Sequence, residues 1–325
     1  MTQADTATEP AASRAPTARP AARPRRRRPG RKHAELALFL GPALVVYSSF
    51  VMLPIGLAFY YANYRWSGLG PLTNYVGLDN YRRALQDPVF LGSVRHNAII
   101  IGLSLALQLP IALGLAVLLN ARLRGRRLLR LVVFAPFVLS EVITGVIWLL
   151  ILQPDGLADR TFQAVGLGGL VQLWLADRSI VLSTMFVVVT WKYIGFAIIL
   201  FLAGLQGIPR ELAEAAEVDG ASKLRVFRHI TVPLLGPTIR VWAFLSIIGS
   251  LQLFDLIWIM TLGGPANASS MMATYMVDRG FRRYQFGYGS AVAVILFLIS
   301  FGISLAYQRL VLRRDIQGAL TRMAG

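Results

Sequence analysis

Apolar residues along the chain fall into six stretches that are separated by short polar segments. The hydrocarbon core of a bilayer is about 30 Å thick, and a helix of roughly 20 residues crosses it. The pattern therefore predicts an all-α integral membrane protein with six transmembrane helices. The predicted ranges are Glu35–Tyr61, Arg95–Leu119, Leu128–Leu152, Ile180–Leu205, Ile239–Leu262 and Gly289–Leu312.

The segment before the first apolar stretch has a different composition. Met1–Lys32 is rich in Ala, Pro and Arg, has almost no large apolar side chains, and ends in "RPRRRRPGRK". Such a segment cannot bury a core, so we expect residues 1–32 to form a disordered basic tail before a six-span domain at 33–325. A basic anchor on the anionic lipids of the cytoplasmic leaflet is favoured over an arm that binds nucleic acid.

The distribution of cationic residues predicts how the spans are oriented. The 325 residues are 55% hydrophobic and 15% charged, with a net charge of +17 and a mean hydropathy of +0.57. With the N-terminus inside, the four cytoplasmic segments contain 23 of the 33 Lys and Arg residues, and the external segments contain 9. Because cytoplasmic loops are enriched in Lys and Arg, both termini are expected inside, with no nucleic-acid partner.

Two external segments are expected to have secondary structure of their own. The pattern of Tyr75–Phe90 is typical of a short interfacial helix that begins near Asp79 and ends before Pro88. "LADRTFQAVGLGGLVQLWLAD", at residues 157–177, is too broken to cross the membrane, and predicts a surface helix followed by a turn.

Several kinds of chemistry find no support in the sequence. The chain has no Cys, and its three His residues are far apart, so neither a disulfide framework nor a metal site is expected. It has no GxxxxGK[ST] phosphate-binding motif, no cofactor motif and no nucleophile–base pattern that would indicate an enzyme. A stand-alone secondary transporter or channel for a polar solute remains an alternative, because it would also place charged residues within spans.

The cytoplasmic segment between the fourth and fifth spans, residues 206–238, contains "EAAEVDGASKLRVFRHITVP". Pro209 suits the start of a helix, and Gly220 suits the left-handed position that ends one. A helix of about 11 residues is too short to be stable alone in water. The segment is therefore either an ordinary surface loop with a helical turn or a docking element for a cytoplasmic partner.

The spacing of this segment resembles the EAA loop of the membrane subunits of binding-protein-dependent ABC importers. The shared pattern is Glu-Ala-Ala at 214–216, a glycine at 220 and Ile-x-Val-Pro at 230–233, where Val232 replaces the usual Leu. "WKYIGFAIILFLAGLQGIP" and "LFDLIWIMTLGGPANASS" are similar to stretches of the carbohydrate permeases in that family. The resemblance implies the type I ABC importer permease fold, of the class that includes the F subunit of the maltose permease.

The resemblance also implies partners and a coupling role for the loop. The chain would pair with a second EAA-type permease subunit in the bacterial cell membrane, bind a cytoplasmic ATP-binding-cassette ATPase dimer and receive solute from an extracellular binding protein. ATP hydrolysis would belong to the ATPase, with no cofactor on this chain. The residues implied in ATPase coupling are Glu214, Ala215, Ala216, Asp219 and Gly220.

Polar residues inside the spans are the candidates for a solute pathway. A charge at the centre of a membrane costs about 2.5–3.5 kcal/mol, so such residues face a wet cavity or one another. Lys192 could therefore form a structural pair with Glu141 or Asp255, and small residues could serve only helix packing. The candidates for solute contact, most of them placed by the resemblance, are Lys192, Tyr193, Phe196, Ser246, Gly249, Ser250, Gln252, Leu253 and Asp255.

Overall fold

The computed structural model describes residues 29–121 and 124–312, and the chain divides into two units at residues 1–53 and 54–325. In the first unit, helix α1 (Pro29–Tyr47) continues into a π-helical turn at Ser48–Met52. The helix thus begins inside the range expected for the basic tail. The rest of that tail, residues 1–28, lies outside the described residues.

The second unit is helical, and no β-strand occurs in the ranges that the structure describes. π-helical turns at Ser104–Gln108 and Phe227–Thr231 join helices that are otherwise continuous. Including α2, which begins at the boundary between the units, the helices are α2 (Leu53–Tyr61), α3 (Asp79–Gln86), α4 (Pro88–Leu103), α5 (Leu109–Asn120), α6 (Arg126–Val138), α7 (Glu141–Leu152), α8 (Leu157–Ala164), α9 (Val181–Gln206), α10 (Arg210–Val218), α11 (Lys223–Val226), α12 (Val232–Leu234), α13 (Gly236–Leu251), α14 (Asp255–Met260), α15 (Met272–Val277) and α16 (Phe286–Tyr307).

Within the described part of the chain, five helical segments are long and apolar enough to cross a membrane, and a sixth is a bent pair. The five segments are Leu38–Tyr61, Pro88–Asn120, Val181–Gln206, Gly236–Met260 and Phe286–Leu312. They confirm five of the expected spans. The short helices α3 and α8 also form where the two external segments predicted them.

The third expected span is not one straight helix. Helices α6 and α7 meet at an angle of 101°, with extended backbone at Leu139 and Ser140. The Ser140 hydroxyl accepts a hydrogen bond from the Ile143 amide at 3.2 Å, and this N-cap starts a new helix. The high average apolarity of Leu128–Leu152 therefore hid a change of direction, because hydropathy does not report backbone geometry.

Two further boundaries differ from the expectation because of the caps and breaks at helix ends. The second span begins at Pro88, seven residues before Arg95, since the Asp87 carboxylate accepts hydrogen bonds from the first amides of α4. The fifth span is interrupted, because residues 252–254 are not helical and separate α13 from α14.

Helix α9 lies at the centre of the second unit, with 13 of its 26 residues buried. Its N-terminal half packs with α14 and α4, and its C-terminal half packs with α5 and α13. At Gly195 the helix approaches α6 so closely that an added Cβ would lie 2.5 Å from the Val133 carbonyl oxygen. Glycine at this position therefore lets α9 pack closely against the backbone of α6.

Candidate functional site

A cavity of about 370 Å³ lies where α9, α13, α14, the α6–α7 bend and the π-helical turn Ser104–Gln108 meet. Eight of the nine residues named from the sequence as pathway candidates line it, and Lys192 is the exception. The lining combines hydroxyl and amide groups, two carboxylates and aromatic rings. The residues are Ser104, Gln108, Phe137, Glu141, Val189, Tyr193, Phe196, Trp242, Leu245, Ser246, Gly249, Ser250, Gln252, Leu253, Phe254, Asp255 and Leu256.

The break in the fifth span places polar side chains on this cavity. Residues 252–254 leave the helical path, so Gln252 and Asp255 are exposed although they lie within an apolar segment. The break is held from α4, where the buried Asn97 donates a 2.6 Å hydrogen bond to the Ser250 carbonyl and accepts one of 2.9 Å from the Met272 amide. A buried amide that is satisfied on both sides fixes the geometry of the interruption.

Three polar residues of the second span were missed by the sequence reasoning. Asn97 holds the break, and Ser104 and Gln108 line the cavity. All three are buried. Their spacing of seven and four residues places them on one face of the helix, and this periodic polar face in an apolar span was the available signal.

Lys192 lies behind the cavity wall rather than on it. Its side chain is 2% exposed, and its ammonium donates hydrogen bonds to the carbonyls of Pro136 and Phe137, each at 3.2 Å, and of Leu139. These carbonyls belong to the last turn of α6 and the bend, where a helix has unpaired acceptors that favour a cation. The arrangement supports the structural alternative that the sequence left open for Lys192.

Glu141 is shared between Lys192 and Tyr193. Its Oε1 atom lies 3.7 Å from the Lys192 ammonium and accepts a 2.7 Å hydrogen bond from the Tyr193 hydroxyl. The other carboxylate oxygen has no hydrogen-bond partner within the described structure. Two consecutive residues of α9 thus contact the first residue of α7, which also lines the cavity.

The surroundings of Gly249 distinguish the two explanations for the small residues on α13, which are solute contact and close helix packing. A Cβ added to Gly249 would meet no atom within 4 Å, whereas one added to Gly204 would lie 2.7 Å from the Thr238 hydroxyl oxygen. Glycine is thus required for close packing within this chain at Gly204 but not at Gly249. Together with Ser246 and Ser250, Gly249 leaves open volume on the cavity side of α13.

The loop between α9 and α13 forms the short helix expected from the sequence. Helix α10 has nine residues, and its C-terminus is closed by a hydrogen bond from the Ala221 amide to the Ala216 carbonyl at 2.9 Å. Gly220 has a φ of +82°, the left-handed conformation that the turn requires. Pro209 precedes the helix as its N-cap residue, and Pro233 lies in α12.

Helix α10 presents two large apolar side chains to solvent. No residue of α10 is buried, and Leu212 and Val218 are 45% and 87% exposed. Glu214, Ala215 and Ala216 belong to the same nine-residue helix. A helix with little of its own to pack against needs another surface for stability.

One continuous helix, α9, connects the cavity with the loop that contains α10. Helix α9 contributes Tyr193 and Phe196 to the cavity and runs without interruption to Gln206, three residues before Pro209. At 1.5 Å per residue, Tyr193 and Gln206 are about 20 Å apart along the helix axis. Helix α9 therefore extends from the cavity wall to the start of the loop.

These features define a multi-span membrane permease, with a polar cavity among its helices and an exposed helix on a loop between spans. The chain belongs to the family of binding-protein-dependent transport system inner membrane components, whose model matches residues 108–316. Members are the permease subunits of ABC importers, and ATP hydrolysis belongs to a separate subunit. The chain is thus a multi-pass protein of the inner membrane and not itself an enzyme.

Similar proteins cover most of the chain. A probable ABC transporter permease protein of Pyrococcus horikoshii is 34% identical over 84% of this chain and 94% of its own length. The lactose transport system permease protein LacF of Rhizobium radiobacter is 32% identical over 81% of this chain and 89% of its own length. The fold matches a crystal structure of a bacterial ABC transporter involved in the import of the acidic polysaccharide alginate, with a TM-score of 0.75, 23% identity, and coverage of 87% of this chain and 96% of that one.

Proposed function

We propose that this chain is one permease subunit of a sugar importer and translocates a sugar or sugar-like solute through the cavity beside α9. An extracellular binding protein delivers the solute, a second EAA-type permease subunit completes the pathway, and a cytoplasmic ATPase dimer drives alternating access. The observation that carries the proposal is the continuity of α9 between the cavity-lining Tyr193 and the exposed helix α10.

The chemistry of the cavity supports a sugar. Hydroxyl and amide side chains such as those of Ser246, Ser250 and Gln252 both donate and accept hydrogen bonds, as sugar hydroxyls do. Rings such as Tyr193 and Phe196 supply flat apolar surfaces that suit the faces of a sugar ring. The similarity to a relative named for lactose transport points to the same class of solute.

Helix α10 is proposed to be the element that the ATPase moves. Glu214 would contact a basic group of the ATPase, Ala215 and Ala216 would permit close approach, and Asp219 and Gly220 would end the helix. The exposed Val218 supports this role, because a partner surface would remove its apolar side chain from water. Closure of the ATPase dimer would then be transmitted through α9 to the cavity.

The proposed orientation has both termini in the cytoplasm, as the positive-inside distribution indicates. The basic tail would rest on anionic lipids of the inner leaflet. A chain without Cys allows a direct test, because a single Cys can be introduced on each side. Val218→Cys should react with a membrane-impermeant maleimide only from the cytoplasmic side, and Leu78→Cys, which is 73% exposed, only from outside.

Reconstitution tests the function itself. Proteoliposomes would contain this chain, its partner permease and the ATPase dimer, with ATP on the ATPase side and solute-loaded binding protein on the other. Uptake should require every component, and this chain alone should neither hydrolyse ATP nor pass solute. Solute flux down a gradient through the chain alone would instead establish the stand-alone transporter or channel.

A further inference from the structure

The charges around the cavity point to a particular class of solute. We infer that the translocated solute is uncharged or cationic, and that Asp255 and Glu141 exclude solutes that bear carboxylate, sulfate or phosphate groups. The inference rests on the proposed function, because it takes the cavity to lie on the solute path. It goes further by assigning the charge of the solute and the residues that select for it.

The lining of the cavity has one sign of charge. Among the described residues that form it, Glu141 and Asp255 are acidic and none is Lys, Arg or His. Lys192, which lies 3.7 Å from the lining residue Glu141, is 2% exposed and donates to backbone carbonyls at the end of α6. Its ammonium is therefore buried behind the cavity lining, where it binds backbone carbonyls and cannot contact a solute.

The two carboxylates differ in how far their charge is compensated. Glu141 is 27% exposed and lies 3.7 Å from the Lys192 ammonium, so part of its charge is offset. Asp255 is exposed at the break between α13 and α14, and it has no described ion pair. Asp255 thus contributes the larger uncompensated negative charge and is assigned the main role in exclusion.

Carboxylates also restrict the hydrogen bonds that a solute can make. Ionised Asp and Glu are acceptors only, so they bind a sugar hydroxyl or an ammonium group but repel an anionic oxygen. The repulsion is stronger in a protein cavity than in bulk water, because the effective dielectric constant is lower there. The remaining polar groups, such as Ser250 and Gln252, are neutral and offer no countercharge to an anion.

The absence of Cys from the sequence permits a direct measurement of this selectivity. Gly249→Cys places a thiol on the cavity side of α13, where the added Cβ meets no atom within 4 Å. The assembled complex is treated during ATP turnover with two thiol reagents of similar size, cationic methanethiosulfonate ethyltrimethylammonium and anionic methanethiosulfonate ethylsulfonate. The rate with the cationic reagent is divided by the rate with the anionic reagent, and this ratio is divided by the same ratio for a free thiol in solution. The normalised ratio reports the charge around the thiol, because a change in thiol reactivity affects both rates equally.

A control and two variants complete the design. Gly169→Cys, on an exposed segment away from the cavity with equal space for a Cβ, should give a normalised ratio near one. The complex without an introduced Cys gives the background from other subunits. In the cavity we expect the cationic reagent to react at least about tenfold faster. Asp255→Asn should lower the ratio several-fold, and Glu141→Gln should lower it less.

The outcomes separate the charge inference from the proposed function. If either label at position 249 blocks uptake relative to the unlabelled variant, the cavity lies on the path. A normalised ratio at or below one, or a ratio unchanged by Asp255→Asn, then overturns the inference while the proposed function stands. Uptake that continues after complete labelling, or a thiol that neither reagent reaches during turnover, rejects the cavity as the path and the inference with it.

Discussion

The ammonium of Lys192 on α9 lies 3.7 Å from a carboxylate oxygen of Glu141, the first residue of α7. This pair ties the central helix to a span that changes direction by 101°. The same ammonium donates to carbonyls at the end of α6, so one side chain satisfies both sides of the bend. A buried charge in a membrane protein here serves the architecture of the cavity wall.

Replacing Lys192 with Met should destabilise the chain without removing much packing volume. The variant leaves three carbonyls and the Glu141 carboxylate without their cation, and the loss should be roughly 2–3 kcal/mol because Glu141 keeps some solvent access. The free energy of unfolding can be measured by titration with SDS in mixed micelles. Adding Glu141→Gln should recover part of the loss, and a cost below about 0.5 kcal/mol for Lys192→Met would show that the ammonium does not hold the bend.

Gly249→Trp should block solute passage while leaving the complex assembled. The indole would fill much of a cavity of about 370 Å³, whereas the neighbouring helices need not move to admit its Cβ. Uptake should fall to background while ATP hydrolysis stimulated by the binding protein persists. Gly102→Trp, on an exposed helical face with equal space, is the matched control. Parallel loss of uptake, stimulated hydrolysis and complex yield would instead indicate packing damage.

Gly220→Leu should uncouple the chain from the ATPase. The position has a φ of +82° with no atom within 4 Å of an added Cβ, so the penalty is conformational, about 1–2 kcal/mol. The backbone would relieve this strain by changing conformation at the end of α10. Copurification with the ATPase and solute uptake should therefore both decrease. Gly220→Asn is the control, because Asn tolerates the left-handed region, and it should retain most uptake. Normal uptake and complex yield in Gly220→Leu would contradict a docking role for α10.

Asp87, the N-cap residue of α4, should make the stability of the protein depend on pH. Burial by itself raises the pKa of this carboxyl, but hydrogen bonds from Tyr275 and the amides of Val89 and Phe90, together with Arg279, lower it below 3.8 overall. Because the folded pKa is lowered, the stabilisation is present above the ordinary value and is lost as pH falls through the lowered value.

The test compares the native chain with Asp87→Asn, which keeps a capping oxygen but cannot titrate. Thermal unfolding midpoints of the two proteins should converge as the pH falls from about 5 to about 2. Asp79→Asn, which removes an exposed carboxylate paired with Arg65 at 3.3 Å, controls for the loss of one negative charge. A difference between Asp87→Asn and the native chain that does not change over this range would refute the linkage.

Local chemistry in the sequence was enough to predict the class of protein and the short helix α10. Long apolar stretches have few stable environments other than a membrane, so the spans follow from side-chain solubility alone. The end of α10 also follows locally, because only a few residue types accept the backbone conformation found at Gly220. The spacing of residues 214–233 identified the family for the same reason, since a short helix and its cap are encoded by consecutive residues.

The tertiary structure decided which polar residues share the cavity and where the spans break. The bend at Leu139 and Ser140 is stabilised by Lys192, more than 50 positions later in the chain, and the break after Leu251 is held by Asn97, more than 150 positions earlier. Hydropathy treats every residue of a span alike and contains no information about such distant partners. Lys192 caps α6 and does not line the cavity, and this role depends on the packing of α9 against α6 at Gly195. Hydrogen bonds across helices depend on relative positions that the local sequence does not specify.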